Sequence, residues 1–89
     1  MICKGSAVVS APEGLHARPA ADFVRAVSLS GHGVIVTNPA GRSVDGSSIL
    51  AVLSLGVKQG QTVDLEVSGE DPQPVLERLI AVVSQQKQG

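Results

Sequence analysis

A single aromatic side chain, Phe23, has to serve a chain of 89 residues, and this limits the fold more than any other feature. The core must be built from aliphatic side chains, which supply most of the 43% of the sequence that is apolar. Such side chains close a small interior only when periodic segments lay them along one face. The length predicts one domain over residues 1–89, near the lower end of the size at which a core stands without disulfides or metal. Cys3 is the only cysteine and cannot form an internal disulfide. It reads as a small buried thiol in a first strand.

Period and punctuation predict seven elements in the order strand, helix, two strands, helix, strand, helix. Residues 2–9 end in Ala7-Val8-Val9 and stop at Ser10-Ala11-Pro12-Glu13-Gly14, a strand followed by a loop. Ala20, Phe23, Val24 and Val27 then fall at spacings of three and four, with Asp22 and Arg25 turned to solvent. Pro19 is tolerated in a first helical turn but restrains Arg18 away from helical angles, so the helix start stays open. Gly31-His32-Gly33 ends the helix, and His32 between its two glycines reads as a solvated loop residue without a partner.

Val34–Thr37 reads as a strand, turned by Asn38-Pro39-Ala40-Gly41 into a shorter one around Arg42 to Asp45. Thr62–Val67 alternates as a strand with Thr62, Asp64 and Glu66 on its wet face. Asp71 is the predicted cap of a last helix with Val75, Leu76, Leu79, Ile80 and Val83 on its apolar stripe, and Gln85–Gly89 should fray. Laying three amphipathic helices over one face of a four-stranded antiparallel sheet is the simplest α+β packing.

Charge and composition exclude several classes of function. Seven basic and eight acidic side chains leave a net charge of −1, so neither nucleic acid nor a membrane surface is expected as a partner. No stretch approaches the roughly 20 apolar residues of a membrane span. Without a charged leader or a cleavage site, the expected compartment is the cytoplasm. Cys3, His16 and His32 lack the spacing of metal ligands, and no metal is expected.

Gly14-Leu15-His16-Ala17-Arg18-Pro19-Ala20-Ala21 carries the chemistry. A histidine two residues from an arginine stands where a loop becomes a helix, and the unpaired N–H groups and dipole of a helix start form a seat for an anion. Unperturbed imidazole titrates near about pH 6.5, so a neutral, nucleophilic ring is available to attack a phosphoryl donor. The backbone N–H groups of Ala17 and Arg18 would face the phosphate oxygens, and the Arg18 guanidinium would reach over them. On spacing alone, a cap or a surface histidine is the more common account of His16.

The segment Ser48-Ile49-Leu50-Ala51-Val52-Leu53-Ser54-Leu55-Gly56-Val57 spreads its apolar residues around most of a helix, so some must be exposed. Either a partner surface or a short turn folded into the core would account for it. Ser47 and Ser48 can each cap the first turn of this segment, and Ser47 is read as the cap.

These two segments, at this separation, resemble the signatures of the HPr family, the histidine phosphocarriers of the phosphoenolpyruvate-dependent sugar phosphotransferase system. The resemblance spans essentially the whole chain. It implies an open-faced sandwich with strand order 1-4-2-3 and three helices on one face. It further implies that His16 carries the phosphoryl group on Nδ1 and that Arg18 stabilises it. Ala17, Ala21, Arg25, Ile49, Leu50 and Leu53 would form the docking face. Ser48 aligns with the serine that a dedicated kinase phosphorylates in some members. The implied partners are enzyme I and sugar-specific IIA proteins, with the HPr kinase/phosphorylase and transcription regulators beyond them. The implied protein is a monomeric carrier and not an enzyme.

Glu13, Gly46 and Ser47 depart from the pattern of well-known relatives. The alternatives are a paralogue serving a nitrogen-regulatory or dihydroxyacetone kinase relay, a regulatory binding domain that transfers nothing, and a small α/β ligand-binding domain in which the histidine is incidental.

Overall fold

The alternating segment that begins at Thr62 lies between two other strands. The computed structural model describes residues 1–84, with strands β1 (Ile2–Val8), β2 (Gly33–Thr37), β3 (Ser43–Asp45) and β4 (Thr62–Ser68). Helices α1 (Ala17–Ser30), α2 (Ile49–Leu53) and α3 (Pro72–Ser84) complete it. The sheet is antiparallel throughout, in the order β1-β4-β2-β3 that the family resemblance implies. Leu65 pairs with Gly5 on one side and Val36 on the other, and Val67 pairs with Cys3 and Val34.

This register sorts the side chains by face. Val63, Leu65 and Val67 are buried with Val34, Val36 and Ala7, while Thr62 and Asp64 are exposed and Glu66 is half-buried. A shift by one residue would turn that whole set outward. On the open face Lys4 stands opposite Glu66, with Nζ 3.8 Å from a carboxylate oxygen.

The helices cover the apolar face. α1 buries Ala20, Phe23 and Val27, and α3 buries Leu76, Leu79 and Val83. The single aromatic ring is fully enclosed, and a buried side chain of that size contributes about 1.5–3 kcal/mol. α3 packs against β1, β4 and α1. Gly5 permits its close approach, since a Cβ there would stand 3.2 Å from Ile80 Cδ1 and 3.3 Å from Leu76 Cδ2. Cys3 is half-buried against this core.

The predicted hairpin forms around Asn38. Its N–H donates to Arg42 O and its Oδ1 accepts from Arg42 N, both at 2.9 Å, while its Nδ2 donates to Leu55 O at 3.0 Å. That last bond ties the hairpin to the segment after α2.

Three local expectations are corrected. Ser48, and not Ser47, caps α2: its Oγ accepts from Ala51 N at 3.3 Å. Ser47 instead donates its N–H and Oγ–H to Asp45 Oδ1 at 2.9 and 2.8 Å, which holds the Asp45 carboxyl below the usual carboxylate range. Asp71 does not cap α3; its backbone is left-handed at φ 49°, and Pro72 opens the helix, where a missing N–H costs nothing. His32 has partners on both ring nitrogens, Ser30 O at 2.8 Å and Glu70 O at 2.7 Å. The fraying expected for Gln85–Gly89 lies outside the described residues.

Candidate functional site

Two backbone anchors fix the chain immediately before His16. The Gly14 N–H donates to Ala11 O at 2.9 Å and the Leu15 N–H donates to Val57 O at 3.0 Å. Gly14 is buried at φ 76°, and a Cβ there would collide with Val57 O and stand 2.9 Å from Lys58 Cα, so only glycine fits without a shift. The Leu15 side chain enters the core, and the next residue is thereby turned outward.

His16 is the N-cap residue of α1, extended at φ −144° and ψ 166°, with its carbonyl accepting from Ala20 N at 3.4 Å. Its imidazole is exposed and makes no capping bond. The N–H groups of Ala17 and Arg18 have no acceptor among the described residues, and Pro19 has no N–H to offer. Two donors and the positive end of a 14-residue helix therefore open beside an unengaged ring.

Ala17 adopts φ 49°, a left-handed conformation that costs a residue with a Cβ about 1–2 kcal/mol. The residue types around it carry no sign of this strain. The close fit of Gly14 against Val57 and Lys58 has at least a signal, a glycine two residues before the histidine.

Arg18 lines a hollow of about 740 Å³ together with Ser10, Pro12, Glu13, Asp22 and Val82, and His16 is not part of that lining. The departure at Glu13 thus faces the same hollow as Arg18. Neither acid is in an ion pair with it, since among the described residues the one ion pair is Lys4–Glu66.

The residues expected on a docking face occupy two helices that pack against each other. Ala17, Ala21 and Arg25 recur every four residues along α1 and are all exposed. On α2, Leu50 is 76% and Ile49 37% exposed, Leu53 is half-buried and Val52 is in the core. The apolar residues around this short helix thus divide between the interior and an outward patch. Ser48, which begins it, is half-buried.

Among the described residues no group of three or more His, Cys, Asp or Glu side chains could hold a metal ion. Among the same residues, no helix is long and apolar enough to cross a membrane.

Residues 3–85 match the family model of the PTS HPr component phosphorylation site. The chain belongs to the HPr family. It is 42% identical over 73 residues to the phosphocarrier protein HPr of Streptomyces coelicolor, covering 82% of this chain and 78% of that one. The fold is similar to that of a phosphocarrier protein HPr from Bacillus anthracis, with a TM-score of 0.87, 30% identity and coverage of 93% of this chain and 98% of the other. An HPr dimer from Thermoanaerobacter tengcongensis is also similar, with a TM-score of 0.69, 35% identity and coverage of 84% and 85%. HPr proteins are phosphocarriers of the phosphotransferase system and not enzymes.

Proposed function

We propose that this HPr-family chain accepts a phosphoryl group on His16 from phosphorylated enzyme I and transfers it to a sugar-specific IIA protein. The observation that carries this reading is the exposed His16 ring beside two unengaged N–H donors at the start of α1. The Nδ1 lone pair attacks phosphorus, and a P–N bond forms as the bond from phosphorus to the donor's histidine breaks. The Nε2 proton stays on the ring. Transfer to IIA reverses the sequence, with the acceptor nitrogen attacking and His16 leaving as neutral imidazole.

The N–H groups of Ala17 and Arg18 bind the phosphoryl oxygens. Helix-end stabilisation of an anion is modest, about 0.3–2 kcal/mol, which suits a group that must leave again. The exposed Arg18 guanidinium bonds the same oxygens, adding charge-assisted bonds worth about 1.5–3 kcal/mol. No metal or cofactor is needed on this chain.

Ala17, Ala21, Arg25, Ile49, Leu50 and Leu53 serve as the docking face for both partners, on the reasoning that an exposed aliphatic patch on a helix packed against α1, which starts at the reactive residue, is a contact surface. Phosphorylation of Ser48 by the HPr kinase/phosphorylase would add charge to this face and replace a neutral cap by an anionic one. Transcription regulators would read the same surface. Residues 1–89 act as one domain, in the cytoplasm and as a monomer, without nucleic acid or membrane insertion.

The test is incubation with enzyme I and labelled phosphoenolpyruvate, followed by addition of a IIA protein. The native chain should take up acid-labile label and lose it to IIA, and His16→Ala should take up none. Equal labelling of the two proteins would overturn the proposal. Uptake from a nitrogen-regulatory or dihydroxyacetone kinase donor, and not from enzyme I, would assign the chain to that other relay.

A further inference from the structure

We propose that His32 is a proton-operated clasp fastening the end of α1 to the turn between β4 and α3. Its ring stands between two carbonyl oxygens from distant parts of the chain, with Nδ1 2.8 Å from Ser30 O and Nε2 2.7 Å from Glu70 O. A carbonyl oxygen only accepts, so both ring nitrogens must donate if both contacts are hydrogen bonds. Imidazolium alone has two N–H groups. A neutral ring bonds one carbonyl and turns a lone pair towards the other at a distance where the two repel.

The surroundings favour the same protonation state. Ser30 O belongs to the last turn of α1, where the dipole attracts a cation and no basic side chain is present. The His32 N–H donates to Ser30 Oγ at 3.1 Å, and that hydroxyl donates to Val27 O at 2.6 Å, so the ring's own backbone is fastened to the helix end. Across the gap, Gly69 at φ 135° brings its backbone against the ring, and a Cβ there would stand 2.7 Å from His32 Cδ2. The Gly69 N–H is held in turn by Met1 O at 3.0 Å.

The bonds to Glu70 and then Ser30 raise the affinity of the ring for its proton; partial desolvation opposes them, and the Asp71 carboxylate adds to them. Glu70 carries a second carboxylate in the same turn. Val27–Ser30 of α1 bring no charged side chain, while Met1, which precedes β1 and whose carbonyl holds Gly69, brings its terminal ammonium group as an opposing positive charge.

The direction of the switch follows from linkage. A group whose midpoint is higher in the folded chain than in the unfolded one lends stability that is fully present below about pH 6.5. That contribution is lost as the pH rises through the raised folded midpoint. The clasp is therefore closed in mild acid and loses one of its two bonds on the alkaline side. α1 has 14 residues at about 1.5 Å each, so the clasp is about 20 Å along the helix from His16. It governs how the β4–α3 turn is held and not the ring chemistry.

A pH titration of the full chain by heteronuclear NMR tests the clasp, with the His32 ring signals assigned in the native chain by through-bond correlation to its own backbone amide. The His32 midpoint should lie above about 6.5, the value of an unperturbed imidazole. The amide signals of Gly31, Gly69 and Glu70 should move with that same midpoint, and in His32→Gln those movements should vanish while phosphoryl uptake is unchanged. A His32 midpoint at or below the unperturbed value, or turn amides that ignore the titration of the ring, would overturn the proposal. Both readouts come from the native chain, so they decide the matter even if the variant does not fold.

Discussion

A Gly14→Ala substitution puts a methyl group where the loop before His16 has no room. Holding alanine at the φ of 76° costs about 1–2 kcal/mol from the left-handed backbone alone. The obstructing atoms, Val57 O and Lys58 Cα, are backbone and cannot rotate away. The loop must therefore withdraw from residues 57 and 58, and the Leu15 N–H to Val57 O bond is the first to be lost. A net hydrogen bond is worth about 1 kcal/mol, so the substitution should cost about 2–3 kcal/mol in total. For a domain of this size that lowers Tm by about 8–24 °C.

Gly31→Ala is the matched control. Gly31 has φ 71° and no atom within 4 Å of the place a Cβ would occupy, so it incurs the backbone strain without the collision. Thermal melts of the three proteins, with phosphoryl uptake measured alongside, separate the two contributions. Gly14→Ala should melt below Gly31→Ala, and only Gly14→Ala should slow uptake, because its loop carries His16. A Gly14→Ala melt equal to or above the control would refute the claim that this close approach fixes the loop.

Three further outcomes follow from the same geometry. Arg18→Ala should lower phosphoryl transfer about 10- to 100-fold, the equivalent of about 1.5–3 kcal/mol of charge-assisted bonding, while the Tm of so exposed a site stays nearly unchanged. Ser48→Ala should destabilise the chain by about 1 kcal/mol through loss of the α2 cap, whereas Ser48→Asp should keep the cap yet slow transfer from enzyme I; chemical denaturation paired with a transfer assay distinguishes them. The Asp45 carboxyl is lowered by its bonds from Ser47, so its contribution exists above the ordinary aspartate value and disappears as the pH falls through the lowered one. Melts of the native chain and Asp45→Asn should differ at pH 5 and converge in strong acid.

Features carried by a period are legible in the sequence. The alternation of Thr62–Val67 and the stripes of Ala20-Phe23-Val27 and Leu76-Leu79-Val83 reappear as the faces that close the core. Such patterns are local, and burial acts on them directly. The strand order is not legible in that way, because periodicity does not say which edge a strand joins; it follows from the family resemblance.

Contacts between distant segments are equally hidden. His32 reads as unpartnered because Glu70 lies 38 residues away, and a loop between two glycines shows no sign of what it will meet. Ser47 and Ser48 are both competent caps by residue type, and Asp45 decides between them by engaging Ser47 and leaving Ser48 to the helix. At the candidate site, the helix start and the exposed histidine are legible. The left-handed Ala17 is not, nor is the placement of Arg18 in a hollow shared with Glu13 and Asp22, since both depend on how the loop packs.

The most direct measurement is to phosphorylate the native chain with enzyme I and phosphoenolpyruvate, keep it alkaline, and locate the added group by tandem mass spectrometry. One acid-labile phosphoryl group is expected, on His16. A modification that survives acid, or that resides on His32 or any other residue, would contradict it.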